Sequence, residues 1–182
     1  MKNLVTTDWL DKNFTNVKIL DATWHMSNTK RNSLEEYYLK HISSSLFFDL
    51  DDTSNKDSKL PHMLPSKNSW EKSISQLGIK NTDHVIIYDN SDVLSSCRAW
   101  YNFLYFGHSS SLVSVLDGGL KKWAKENRDT TKIVNKIYKS EYIAKENLTM
   151  VLNKDQINLN IKSKNFELID ARSKERFHGL HP

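Results

Sequence analysis

Four short apolar runs punctuate the first two thirds of the chain: residues 17–20 (VKIL), 46–50 (LFFDL), 85–88 (VIIY) and 112–116 (LVSVL). Runs this short suit strands, and the ones that do not alternate with polar residues belong to strands buried on both faces. The segments between them carry helical signatures. Residues 33–39 open on Ser33 with Glu36 three positions on, the pattern of a capping box, and residues 69–77 end at Gly78. Val93, Cys97, Trp100 and Leu104 form a helical stripe that stops at Gly107, and Gly118-Gly119 launches residues 120–126. Strands that alternate with helices pair in parallel through helical crossovers. The expected fold class is therefore α/β, with a mostly parallel sheet covered by helices on both faces.

Composition narrows what such a fold can be used for. The 182 residues are 38% hydrophobic and 10% aromatic, enough for a packed core. No stretch approaches the about 18 consecutive apolar residues of a membrane helix, so no membrane partner is expected. Residues 1–14 hold Asp8 and Asp11 and lack an apolar signal region, which points to a cytoplasmic address. The single cysteine, Cys97, cannot form an internal disulfide or a paired-cysteine zinc site. The seven histidines show no metal-ligand spacing, and neither metal nor cofactor is expected. The net charge of +4 is spread over scattered lysines, which does not indicate a nucleic-acid partner.

The chain also repeats itself. A Thr-Asp-Trp-Leu helix start precedes Leu20-Asp21-Ala22, and an Asn153-Lys154-Asp155-Gln156-Ile157 helix start precedes Ile169-Asp170-Ala171, a domain's length later. A repeat at that period suggests duplication of a whole domain. The expected organisation is a complete domain over residues 1–127, a lysine-rich interdomain linker over 128–147 and the opening of a second copy over 148–182, truncated after its first strand.

In order along the chain, Leu20-Asp21-Ala22-Thr23-Trp24, Tyr38-Leu39-Lys40-His41-Ile42, Leu60-Pro61-His62-Met63-Leu64-Pro65, Arg98-Ala99-Trp100, Leu116-Asp117-Gly118-Gly119 and Asp170-Ala171-Arg172 before Glu175-Arg176-Phe177 resemble the tandem-domain rhodaneses, the thiosulfate and 3-mercaptopyruvate sulfurtransferases. The resemblance implies a rhodanese-like doubly wound sheet in each copy, with the catalytic cysteine in a loop of the second copy only. It also implies transfer of sulfane sulfur from a small-molecule donor to a thiophilic acceptor through a cysteine persulfide. A ring of loop amides at a helix N-terminus lowers the pKa of such a thiol and holds the anionic product.

Asp89 stands where the first copy presents the equivalent loop. A carboxylate has no affinity for sulfane sulfur, so Asp89 marks a non-catalytic copy and is expected to take the loop amides itself. Cys97 lies eight positions later, and its place in the helical stripe predicts a small buried core residue on the second turn of the helix. By resemblance, Arg176 is one of two arginines that bind the mercaptopyruvate carboxylate, its companion lying in a stretch beyond Pro182. Asp51 and His62 resemble a pair that supports proton transfer from across the domain interface, with the bland alternative that they shape a strand end and a proline-flanked loop. Where relatives have Gly-Pro, Ser43-Ser44-Ser45 must make the turn.

Two rival readings remain at this level. Residues 49–53 (DLDDT) imitate the D-x-D-x-T signature of haloacid-dehalogenase-like phosphatases, although Ser54 takes the place of an apolar residue and residues 112–116 lead to Asp117 alone. Alternatively the chain is a non-enzymatic binding module, or one half of a split sulfurtransferase whose partner is a separate C-terminal half.

Overall fold

A computed structural model describes residues 3–181, which divide into two compact units, the first ending at Asn147 and the second beginning at Leu148. In the first unit the strands are β1 (Leu4–Val5), β2 (Lys18–Asp21), β4 (Ser45–Phe47), β5 (Val85–Tyr88) and β6 (Val113–Leu116), assembled in the order β1-β6-β5-β2-β4. Every pairing is parallel, with Ile19 opposite Ile86 and Ile86 opposite Ser114. A two-stranded antiparallel ribbon, β3 (His41–Ile42) with β7 (Thr130–Thr131), stands apart from it. The helices are α1 (Thr7–Asn13), α2 (Ser33–Leu39), α3 (Lys67–Gln76), α4 (Ser95–Tyr105) and α5 (Gly119–Lys125).

β5 is the centre of the sheet, and all four of its residues are fully buried. Because side chains alternate along a strand, its two faces feed two cores. Ile86 and Tyr88 join Ile19, Leu10 of α1 and Leu120 and Trp123 of α5. The other core is aromatic: Trp70 of α3 stacks on Phe106 with centroids 4.7 Å apart and meets Phe103 of α4 edge-on at 5.1 Å. The α/β class and the helical cover follow from the apolar runs as expected, because a strand with no polar face needs a layer on each side. The edge strand β1 and the β3–β7 ribbon are two residues per strand, too short to leave a periodic signal.

Two local expectations are corrected, and a third, the serine-built turn, is met. Helix α2 is capped by Asn32, whose side chain accepts from the N–H groups of Leu34 and Glu35, while Glu36 turns away from the helix end to Arg31, His25 and Asn90. The turn between β3 and β4 puts Ser44 at φ +61°, a left-handed conformation that glycine would adopt more easily. In the second unit, residues 166–169 form no strand among the described residues, since a strand needs a neighbour to take its backbone groups. Instead Asn160 of α6 (Lys154–Ser163) exchanges two hydrogen bonds with the Phe166 backbone, at 2.8 and 3.1 Å. Helix α6 opens with a capping box between Asn153 and Gln156, and a short α7 (Lys174–Phe177) is capped by Ser173.

Residues 130–147 pack along the first unit as a strap. Ser140 N–H donates to the Ser75 carbonyl, Lys145 N–H to that of Phe106 and Asn147 N–H to that of Tyr105. Tyr142 and Ala144 are buried, and the Tyr142 ring lies parallel to that of His108, whose Nδ1 is 3.2 Å from the Tyr142 hydroxyl. A free linker would tolerate substitution within about 0.5 kcal/mol. For Tyr142→Ala we expect a loss of about 2–4 kcal/mol, typical of truncating a buried aromatic residue, measured as a lowered urea midpoint at unchanged slope.

Candidate functional site

The carboxyl ends of β5 and β6 open onto a cleft of about 570 Å³ lined by Asp89, Ser91, Asp92, Ser96, Cys97 and Lys121, among others. This is where a doubly wound sheet places ligands. The cleft is shaped by the loop from Asp89 to Leu94. That loop ends with Leu94 at φ +52°, so α4 begins only at Ser95 and lacks a capping side chain at its own N-cap position. The unpaired amides of the first helical turn are taken by the loop instead. Asp89 Oδ2 accepts the Ser96 N–H at 2.7 Å and Oδ1 the Ser91 N–H at 3.2 Å. Ser91 Oγ accepts the N–H groups of Val93 and Ser95. Asp89 is almost wholly buried, and its own carbonyl accepts the Leu120 N–H. Gly119 passes so close that an added Cβ would lie 2.3 Å from that carbonyl oxygen, at a φ of +53°.

The loop is fastened to the neighbouring strand by Thr23, just past β2. Its hydroxyl accepts the Asn90 N–H at 2.9 Å and donates a short hydrogen bond to Asp21, which also accepts the Thr23 N–H. Desolvation raises the Asp21 carboxyl above its ordinary range, and the bonds from Thr23 only partly oppose this. A second polar layer lies outside: Arg31 forks onto Glu36 with both bonds at 2.7 Å and donates to the Asn90 carbonyl. Lys121 pairs with Asp92.

The late start of α4 changes the place of Cys97. It sits in the first turn of the helix and is exposed, not buried on the second turn as its spacing from Trp100 and Leu104 suggests. The inward stripe is Ser96, Ala99, Phe103 and Phe106, one residue out of register with the apolar spacing in the sequence. Partial burial and then the negative charge of Asp89 push the Cys97 thiol up, which lowers its thiolate fraction at neutral pH.

The structure brings Asp51 and His62 together. His62 Nε2 is 2.8 Å from Asp51 Oδ1, so Nε2 carries the proton, and the Trp24 indole N–H donates to Asp51 Oδ2 at 3.1 Å. The Trp24 and His62 rings meet edge to face at 4.7 Å. Sequence reading missed Trp24 and Arg98 in this cluster, because neither contact is between sequence neighbours. Residues 49–53 are a hydrogen-bonded turn: Asp49 accepts the Asp52 N–H, and Thr53 donates to the Asp49 carbonyl. Arg176 lies in the second unit, exposed on α7, with its N–H on the Ser173 hydroxyl. Nearby, Arg172 pairs with Asp170 and holds that carboxyl down to about 2.

Residues 6–126 match the rhodanese-like domain family. Thiosulfate/3-mercaptopyruvate sulfurtransferase 2 of Arabidopsis thaliana is 38% identical over 98% of this chain and 58% of its own length. The human 3-mercaptopyruvate sulfurtransferase is 33% identical over 91% of this chain and 56% of its own. The crystal structure of SseA from Escherichia coli, described as the rhodanese fold of 3-mercaptopyruvate sulfotransferases, superposes with a TM-score of 0.90 at 30% identity, covering 97% of this chain and 68% of that one. The chain thus spans little more than half the length of these curated relatives.

Two measurements check the site's energetics. Asp89→Ala strips the acceptor from two buried amides and is expected to cost about 1–3 kcal/mol in urea unfolding. A carboxyl raised by burial stabilises the fold below its ordinary pKa of about 4, and that contribution is lost as pH rises through the raised value. Asp21→Asn keeps an oxygen for the Thr23 donors. Its urea midpoint relative to the parent is therefore expected to climb as pH rises above about 4.

Proposed function

Because the chain belongs to the rhodanese-like family, we propose that its first unit is the non-catalytic domain of a sulfurtransferase, serving a reaction whose nucleophilic cysteine lies outside these 182 residues. The observation that carries this reading is the carboxylate of Asp89 on the amides of Ser91 and Ser96. In sulfur transfer a thiolate attacks the donor's outer sulfur, forms an S–S bond and expels the rest of the donor with the bonding electrons. An acceptor nucleophile then takes the sulfur and restores the thiolate. The amides that would steady that sulfur are satisfied here by an internal acid, and Cys97, the single cysteine, has a raised pKa beside it. The donors in view are thiosulfate and 3-mercaptopyruvate, after the names of the relatives. The cysteine-bearing partner is either further sequence or a separate C-terminal half. We read the address as a reducing compartment, the cytoplasm by preference, although one Arabidopsis relative is named as mitochondrial.

In this reading Asp51 and His62 serve proton transfer, and their chemistry distinguishes the two donors. Sulfite leaves thiosulfate as a stable anion and needs no proton. The group leaving 3-mercaptopyruvate is an enolate of pyruvate, which must be protonated on carbon. His62, an imidazole oriented by Asp51, suits that task. Arg176 would pair with the mercaptopyruvate carboxylate through the two parallel N–H groups of its guanidinium.

The purified chain is expected to form no persulfide with either donor, and Cys97→Ser to change nothing. Adding a polypeptide that carries the cysteine loop should restore turnover. In that mixture His62→Gln is expected to lower kcat with 3-mercaptopyruvate by about 100-fold and to leave thiosulfate turnover nearly unchanged. A persulfide on Cys97 in the isolated chain would overturn the reading.

A further inference from the structure

We infer that Arg98 is a positioning residue for His62, and that helix α4 holds both ends of the Trp24–Asp51–His62 chain; this rests on the proton-transfer reading of His62 given above. The inference comes from a closed ring of hydrogen bonds. Ser95 Oγ, in the first turn of α4, accepts the Trp24 N–H at 3.1 Å. The Trp24 indole N–H donates to Asp51 Oδ2 at 3.1 Å, and Asp51 Oδ1 takes His62 Nε2 at 2.8 Å. The Arg98 guanidinium then closes the ring by donating from Nη2 to the His62 carbonyl at 2.5 Å. Ser95 and Arg98 are three residues apart on one helix, hence neighbours on its surface.

His62 needs such a hold. Its φ is +54°, a conformation that a side-chain-bearing residue keeps only when its surroundings fix it. It lies between Pro61 and Met63, and the next carbonyl, that of Met63, accepts the Asn55 N–H from the segment following the Asp51 turn. Two consecutive carbonyls of the loop are thus tied, one to the segment after the Asp51 turn and one to α4. Arg98 is suited to this and not to a salt bridge. It is half-buried, its guanidinium lies 5.8 Å from the Tyr101 ring, and Tyr101, not a carboxylate, is the group that counters the desolvation lowering its pKa. The same helix begins on the amides that Asp89 caps. The loop that carries no nucleophile therefore anchors the element that sets His62.

The test is nuclear magnetic resonance on the 182-residue chain, following two signals: the hydrogen-bonded His62 Nε2–H proton and the Overhauser contacts between the Trp24 indole and the His62 ring. In Arg98→Met, which keeps the stem and removes the donors, both signals are expected to fall at least threefold, and the same fall is expected in Asp51→Asn. Arg98→Lys, which restores one donor, should recover part of them. A folded Arg98→Met chain with both signals at parental strength overturns the inference, as does an Arg98→Lys chain no better than Arg98→Met. If Arg98→Met does not fold, Arg98→Lys is compared with the parent, and full parental signals despite the shorter reach count against a guanidinium hold. Loss of the signals in Arg98→Met, together with unchanged 3-mercaptopyruvate turnover in His62→Gln, would sink the proton-transfer reading and leave the positioning role standing.

Discussion

At the exit of β5 a strand buried on both faces must turn into a helix whose first amides have no partners, and both demands meet at one residue. Asp89 answers with two oxygens on two N–H groups. It does so in a place closed off by Gly119, where no larger residue fits without displacing the Asp89 carbonyl. A charged acceptor on backbone amides is among the stronger hydrogen-bonding arrangements. The loop, the start of α4 and the launch of α5 all take their positions from it. The same carboxylate occupies two of the amides that border the cleft.

The consequences pass outward through hydrogen bonds and not through the hydrophobic cores. Thr23 ties the loop to the end of β2, and Ser95 ties α4 to Trp24. From Trp24 the chain of contacts reaches Asp51 and His62 on an exposed edge of the unit. The fold thus divides its labour. The aromatic core around Trp70 and the aliphatic core around Ile86 hold the layers together, and a polar lattice above the strand ends sets the side chains that face outward. The strap that follows α5 belongs to the first labour, because Tyr142 and Ala144 are buried in that unit.

The second unit shows what local sequence signals can and cannot do alone. Its capped helix forms, as local signals dictate, because Asn153 and Gln156 satisfy the helix start from within four residues. Its apolar run at residues 166–169 forms no strand, because pairing needs a neighbour that these residues do not supply. Leu168 and Ile169 are left 65% and 81% exposed.

Much was legible in the residues: the strand runs, the glycine stops, the α/β class, the likeness to the rhodaneses and the acid at the loop. Each depends on chemistry within a few positions of the chain, where periodicity and turn residues act directly. The sequence by itself determined that an acid, Asp89, stands at the β5 exit and that Asp51 and His62 were a pair worth weighing. Only the tertiary structure decided that Cys97 faces outward, that residues 128–147 largely wrap the first unit and that Trp24 and Arg98 close around His62. Those outcomes turn on where α4 starts and on contacts between residues far apart in the chain. The left-handed Leu94 and the cap supplied by Asp89 shift the helix register, and no local spacing encodes that shift.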